Sequence, residues 1–138
     1  MKVSRAVYEA MVAHAQEDRP FEACGVLAGS AGTVTGLHRA RNAADLFGVR
    51  YEIDGRDFVR INNAIDDDDL DLIGIYHSHP FTRAYPSATD MAQAWEGLVY
   101  VIVSLRDFLQ PEARAFTVAD GAVSEQPIEI VDGVRAPG

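Results

Sequence analysis

Two hydrophobic rhythms run along this chain, and the switches between them mark its elements. Ser4 precedes a stretch in which Val7, Met11 and Val12 share one helical face, so a first helix capped by Ser4 is predicted. Pro20 halts the approach to the next element. The small apolar run Ala23–Ala28 reads as a buried strand, followed across a turn at Gly29-Ser30-Ala31-Gly32 by a second strand over Thr33–Ala40. Tyr51–Ile53 suits another short strand. Asp54-Gly55-Arg56-Asp57 then opens a helix through Ile65, with Phe58, Ile61, Asn62 and Ile65 at helical spacing. A buried strand is expected over Asp71–Tyr76, because Leu72-Ile73-Gly74-Ile75-Tyr76 is apolar and β-branched. A helix is expected over Ser87–Trp95. Strands over Gly97–Ser104, Glu112–Val118 and Ala122–Ile130 complete the order, the last two joined at Asp120-Gly121. The pattern predicts an α+β fold: a single mixed β-sheet with flanking helices.

Composition narrows the picture. A chain of 138 residues with 48% hydrophobic content supports one compact domain, expected over residues 1–132, with a loose tail from Gly133 to Gly138. The formal net charge of -9 argues against a nucleic-acid partner, which needs clustered Lys and Arg, and leaves room for a basic protein partner. The acidic run Asp66 to Asp69, with Asp71, reads as a solvated turn. Cys24 is the only cysteine, so neither an intramolecular disulfide nor a cysteine zinc cluster can form, and it reads as a small buried hydrophobe. The N-terminal residues carry charge where a signal peptide is apolar. The longest apolar strand, Leu98 to Val103, is too short to span a bilayer. A cytoplasmic protein with no membrane partner is the expectation.

The chemistry concentrates in His77-Ser78-His79-Pro80 and Ser87-Ala88-Thr89-Asp90. On a strand, residues i and i+2 face the same way, so His77 and His79 are expected side by side just past the end of the Asp71–Tyr76 strand. A lone histidine there is usually a partly buried polar residue; a pair on one face rarely serves packing alone. Ser87-x-x-Asp90, after Pro86, has the form of a helix N-cap with its acidic partner. Such a cap would also hold a carboxylate rigidly beside the imidazoles. Two imidazoles and one carboxylate, with a fourth position for water, describe a catalytic zinc site. Spacing alone does not choose between Glu17, Glu22 and Glu52 as the general base. The buried run after Glu22 favours it, since an acid at the mouth of that strand lies near the sheet.

These residues resemble the JAMM (MPN+) metalloprotease signature: Glu, then His-x-His-Pro, six residues, Ser, two residues and Asp, met by Glu22, His77, His79, Pro80, Ser87 and Asp90. The stretches Glu22-Ala23-Cys24-Gly25-Val26-Leu27, Tyr76-His77-Ser78-His79 and Ala84-Tyr85-Pro86-Ser87 are similar to the short actinobacterial Mec-type branch, over roughly Ser4 to Ile130. The resemblance implies a JAMM/MPN (cytidine-deaminase-like) fold and one Zn2+ per chain held by His77, His79 and Asp90. It implies Glu22 as general base and Ser87 as donor to the developing oxyanion. Zinc lowers the pKa of its bound water from about 15.7 to about 7. Ser78 faces the other way and is assigned to packing or to supporting the site. The implied substrate is a ubiquitin-like sulfur-carrier protein, cut after its C-terminal Gly-Gly to release cysteine or a short peptide. Two alternatives differ in class: a deubiquitinase-like isopeptidase, and a non-catalytic MPN-type scaffold. A zinc deaminase fits poorly, because those use cysteine ligands. Asp45–Asn63 and Phe81–Tyr85 are the candidate segments for gripping a substrate tail. The open edges of a short mixed sheet suit a homodimer.

Overall fold

The computed structural model describes residues 1–44 and 50–133. Its elements are β1 (Lys2–Ser4), α1 (Arg5–Asp18), β2 (Cys24–Ser30), β3 (Thr33–Ala40), α2 (Gly55–Asp67), β4 (Asp71–His79), α3 (Ala88–Gln93), β5 (Val99–Ser104), β6 (Glu112–Ala119), β7 (Ala122–Gln126) and β8 (Glu129–Val131). One mixed sheet has the order β7-β6-β5-β4-β2-β3-β1-β8, and the helices flank it. The tail expected from Gly133 lies, apart from that residue, outside the described residues.

Ser4 caps α1 as its position predicts, its Oγ accepting from the Val7 N–H at 3.2 Å. The helix buries Val7, Met11, His14 and Ala15, while Val12 lies at the margin of the core. Asp54 caps α2, its carboxylate accepting from the N–H groups of Arg56 and Asp57 at 3.1 Å. Asp66 and Asp67 prolong that helix by two residues past Ile65, and the whole acidic run is exposed.

Strand alternation divides the core in two. Leu27, Tyr76, Val101 and Val103 face α1, with Val7 and Met11. Cys24, Val26, Ala28, Ile75 and Tyr100 face α2, with Ile61 and Ile65. Covered on both sides, β2 is buried from Cys24 to Gly29, which is why it reads as a continuous apolar run rather than an alternating one. Continuing the alternation along β4 places His77 and His79 on the same face as Ile75.

Several expected boundaries shift. The β2–β3 turn tightens to Ala31 and Gly32, with φ of 51° and 77°. The Asp120-Gly121 turn matches its prediction, with φ of 52° and 74°. Tyr51–Ile53 forms no strand, only an isolated bridge from Ile53 to Asn42. The helix expected over Ser87–Trp95 ends at Gln93, where Ala94 turns extended. The strand at Lys2–Ser4 has no counterpart in the sequence reading; three residues are too few to show a period.

The largest correction concerns Ala122–Ile130, expected as one strand. It is two strands on opposite edges of the sheet, interrupted at Pro127, which cannot donate to a ladder. The Met1 amine donates to the Pro127 carbonyl at 2.7 Å, and the Glu129 N–H donates to the Met1 carbonyl at 2.9 Å. Only three residue steps separate Gln126 in β7 from Glu129 in β8, a reach of about 11 Å at most. The two edges therefore come close, and the sheet curls around α1. Among the described residues no helix is long and apolar enough to cross a membrane.

Candidate metal centre

β4 lies mid-sheet, antiparallel to β2 and parallel to β5. His77 stands opposite Cys24 on one side and Ile102 on the other, and His79 stands opposite Ser104. The histidines are thus the last residues of the strand, not residues beyond it. The ladder continues because β5 offers partners as far as Ser104, and the Leu105 N–H still donates to the His79 carbonyl at 3.0 Å.

The two Nε2 atoms are 3.2 Å apart, and Asp90 Oδ2 lies 3.1 Å from His77 Nε2 and 3.0 Å from His79 Nε2. All three residues are buried. Metal bonds of about 2.0–2.1 Å in tetrahedral geometry require ligand atoms about 3.3 Å apart, so this near-equilateral triangle matches one face of such a site. Two lone-pair nitrogens and a carboxylate oxygen repel one another at these distances unless protons or a cation lie among them.

His79 and Asp90 are held from behind by hydrogen bonds, whereas His77 Nδ1 is buried without a partner and its ring is held by stacking. His79 Nδ1 is 2.9 Å from the Arg83 carbonyl; a carbonyl only accepts, so Nδ1 carries a hydrogen, and Nε2 presents a lone pair when the ring is neutral and donates to Asp90 when the ring is protonated. The His77 ring stacks on Tyr51 at 4.1 Å between centroids and 20° between planes. Asp90 belongs to a complete capping box. Ser87 Oγ accepts from the Asp90 N–H at 3.0 Å, and the Ser87 N–H donates to Asp90 Oδ2 at 2.9 Å. Ser87 Oγ acts only as an acceptor in that box, so its own O–H remains available to donate.

Burial alone would raise the Asp90 carboxyl pKa, but hydrogen bonds from His77 and His79 hold it well below the usual carboxylate range. Burial lowers His77. At His79 the same burial is outweighed by the bonds to Asp90 and the Arg83 carbonyl, and the net shift is upward. Glu22 is 4% exposed; burial pushes its carboxyl up to about 7, against the pull of His79. Its Oε1 has no hydrogen-bond partner, and its carboxylate shares a cluster with His77 and His79 in which the ligand atoms lie within 4.8 Å of one another. Glu22 and Asp90 thus compete for third place in the donor set. The 3.0–3.1 Å contacts favour Asp90, and the orphaned oxygen leaves Glu22 free for another task.

The structure gathers every predicted site residue into one place, and it adds supports that the sequence reading lacked. Ser78 Oγ accepts from the Ala23 N–H at 2.8 Å, and the Ser78 N–H returns a bond to the Ala23 carbonyl at 3.0 Å, fixing the backbone beside Glu22. Asn42 spends its whole amide on the same region: Nδ2 donates to the carbonyls of Glu22 and Arg50 at 3.0 and 3.2 Å, while Oδ1 accepts from the N–H groups of Ala44 and Glu52 at 3.0 Å. No spacing rule marks Asn42, Tyr51 or the Arg83 carbonyl, since each acts on a site residue distant in sequence or through its backbone. Of the candidate gripping segments, Phe81–Tyr85 follows the histidines directly, whereas residues 45–49 of the other lie outside the described residues. Cys24 is fully buried and its thiol is pushed up to about 12 by burial, which leaves it inert at neutral pH.

A family model for prokaryotic homologs of the JAB domain matches residues 4–119. The chain is 42% identical over 125 residues to the CysO-cysteine peptidase of Mycobacterium tuberculosis, covering 89% of this chain and 86% of that protein. It is 45% identical over 103 residues to the desampylase of Haloferax volcanii, covering 70% and 74%. A solution structure of a protein from Desulfitobacterium hafniense superposes with a TM-score of 0.88 at 28% identity, over 96% and 94% of the two chains. The JAB1/MPN domain protein of Archaeoglobus fulgidus shares the fold, with a TM-score of 0.65 at 19% identity over 95% and 99%. The chain therefore belongs to the family of prokaryotic homologs of the JAB domain, whose JAMM/MPN fold it adopts.

Proposed function

We propose that this protein is a zinc-dependent peptidase that cuts the amide bond after the C-terminal Gly-Gly of a ubiquitin-like sulfur-carrier protein and releases cysteine or a short C-terminal segment. The observation that carries this reading is the 3.0–3.2 Å triangle of His77, His79 and Asp90 with a buried, unpartnered Glu22 oxygen beside it. Neutral imidazoles with a carboxylate are the donor set that zinc takes in hydrolases, in preference to the oxygen-only sets of magnesium or calcium. Zinc held there supplies a Lewis acid and water acidified to a pKa of about 7.

The remaining chemistry belongs to the chain. Glu22 takes a proton from the attacking water and hands it to the departing amine, which would otherwise leave as an anion. The C–N bond breaks, the water hydroxyl joins the glycine carbonyl carbon, and the amine leaves neutral. The Ser87 O–H donates to the carbonyl oxygen as negative charge develops on it, a contribution of about 2.7–4 kcal/mol in comparable sites. The capping box keeps Ser87 and Asp90 in fixed relation, so oxyanion donor and ligand are positioned by the same bonds.

The 42% identity to a CysO-cysteine peptidase supports a sulfur carrier as substrate and free cysteine as product. The 45% identity to a desampylase supports a second reading, in which the scissile bond joins a small modifier to a lysine. A complete donor set with a free base argues against a scaffold. The test is intact mass. Zinc-loaded protein incubated with a carrier ending in Gly-Gly-Cys should shorten it by one cysteine. Cleavage of a lysine-linked conjugate alone would favour the second reading, and an unchanged mass for both would overturn the first two.

A further inference from the structure

Among the described residues, Arg5, Arg39, Arg41, Arg60 and Arg114 each meet a carboxylate, as expected in so acidic a chain. Arg19 does not. Its exposed guanidinium lies 5.0 Å from the ring centroid of Phe81 and 5.4 Å from that of Phe108, both exposed rings, and among the described residues no ion pair engages it. Two aromatic rings restrain a guanidinium but leave its N–H edge free, and that edge is the part that forks onto a carboxylate.

Its position matters. Arg19 and Glu22 line one cleft of about 420 Å³, room enough for a departing amino acid. Phe81, one of the two rings that hold it, sits two residues past His79. Arg41 and Glu17 in the cleft are paired with opposite charges, whereas Asp18 meets only an imidazole that burial keeps toward its neutral form. Arg41 meets Asp54 at 2.8 Å, Glu17 meets Arg39 at 2.6 Å, and Asp18 meets His14 Nε2 at 3.1 Å. Of the two cations that line this cleft, Arg19 is the one with no ion pair.

We propose that Arg19 anchors the free α-carboxylate of the leaving residue, making the enzyme selective for a single C-terminal amino acid over a side-chain-linked amine. The inference rests on the peptidase reading above, in which Glu22 hands its proton to the leaving amine. In an α-amino acid the amine nitrogen and the carboxylate carbon are separated only by Cα, a span of about 2.5 Å. A leaving amine within reach of Glu22 therefore brings its carboxylate into the cleft that Arg19 lines. A lysine side chain leaving the same site carries no carboxylate at that distance, so Arg19 would discriminate between the two substrate classes by charge.

The test pairs two substrates that differ only at this group: a carrier ending in Gly-Gly-Cys with a free carboxylate, and the same carrier ending in cysteinamide. Both are given to the zinc-loaded full chain, as wild type, Arg19→Met and Arg19→Lys, with melting temperature and zinc content measured on each preparation. Wild type should favour the acid by at least about tenfold in kcat/KM. In Arg19→Met the acid-to-amide ratio should collapse to within about twofold of one, with the loss on the acid appearing in KM, and Arg19→Lys should restore part of it. Equal cleavage of acid and amide by wild type would overturn the proposal. So would an equal loss on both substrates in Arg19→Met, which would set Arg19 against the carrier body or in the packing of the two rings. Should Arg19→Met fail to fold, the wild-type ratio and Arg19→Lys still decide. Failure of zinc-loaded wild type to cleave either conjugate would instead sink the peptidase reading itself, and the anchor with it.

Discussion

Glu22 and Asp90 are both buried carboxylates in one cluster, yet they end in opposite states, because Asp90 has three donors around one oxygen and Glu22 has an oxygen with none. That difference predicts how their variants separate. Glu22→Gln should keep its zinc and lose about a hundredfold or more in kcat, the usual scale for a proton-transfer group. Asp90→Asn should lose zinc affinity instead, because an anionic ligand is gone. Metal content and kcat on both proteins check this, and the reverse pattern would exchange the two roles. Glu22 also gives a pH signature in the metal-free protein. Its carboxyl is raised from 4.5 to about 7 by burial, so the folded state keeps the proton longer than the unfolded chain does. That contribution to stability is complete below about pH 4.5 and is lost as pH rises through about 7. Glu22→Gln, which cannot ionise, should flatten the fall in melting temperature between pH 5 and 8; an unaltered slope would assign the effect to another group. Ser87→Ala should stay folded and zinc-bound, melt lower by loss of about 0.5–2 kcal/mol of capping, and hydrolyse at least about tenfold more slowly with little change in KM. A lowered melting point with unchanged kcat would leave Ser87 a cap only. Of the five proposed site residues, His77 and His79 were legible from strand spacing and Ser87 and Asp90 from the helix-cap pattern, while Glu22 was marked only by the buried run that follows it and by the family resemblance. Asn42, Tyr51 and Arg19 were not, because each acts through space on a partner that the sequence does not mark.

At the scale of elements, the site depends on how tightly β2 and β4 approach. Gly25 lies opposite Tyr76, and a Cβ there would run into the Tyr76 ring and sit 2.5 Å from the His38 carbonyl. The Tyr76 hydroxyl in turn meets His14 Nδ1 at 2.7 Å, so one glycine lets the ring pack between the sheet and α1. Gly25→Ala should therefore destabilise the protein by about 1–3 kcal/mol, as overpacking does in other cores, with the shift read from urea unfolding. Unfolding at the wild-type midpoint would mean that Tyr76 has room the packing does not show. Element types were largely readable, since apolar runs and helical spacing report burial. Their ends were not: β4 runs to His79 because β5 supplies partners there, and the Ala122–Ile130 stretch divides because its halves pair with strands at opposite edges. Periodicity carries no information about which strand lies alongside.

At the scale of the whole molecule, the curled sheet pairs the first strand, β1, with the last, β8, while the reactive groups gather at the C-terminal end of β4, where the α3 crossover enters. Glu22 arrives from one sequence region and Asp90 from another, both onto a strand buried on its two faces. A metal bound there would be held rigidly in a chain of only 138 residues. Zinc binding to the folded form should raise its stability by mass action. The most direct measurement is hydrolysis of a carrier ending in Gly-Gly-Cys, followed by intact mass, with the same preparation assayed as purified, after removal of metal by a strong chelator, and after zinc is restored. The account predicts about one zinc per chain and loss of a single cysteine from the carrier, abolished by the chelator and recovered with zinc. Full hydrolysis by protein shown to be free of metal would contradict it.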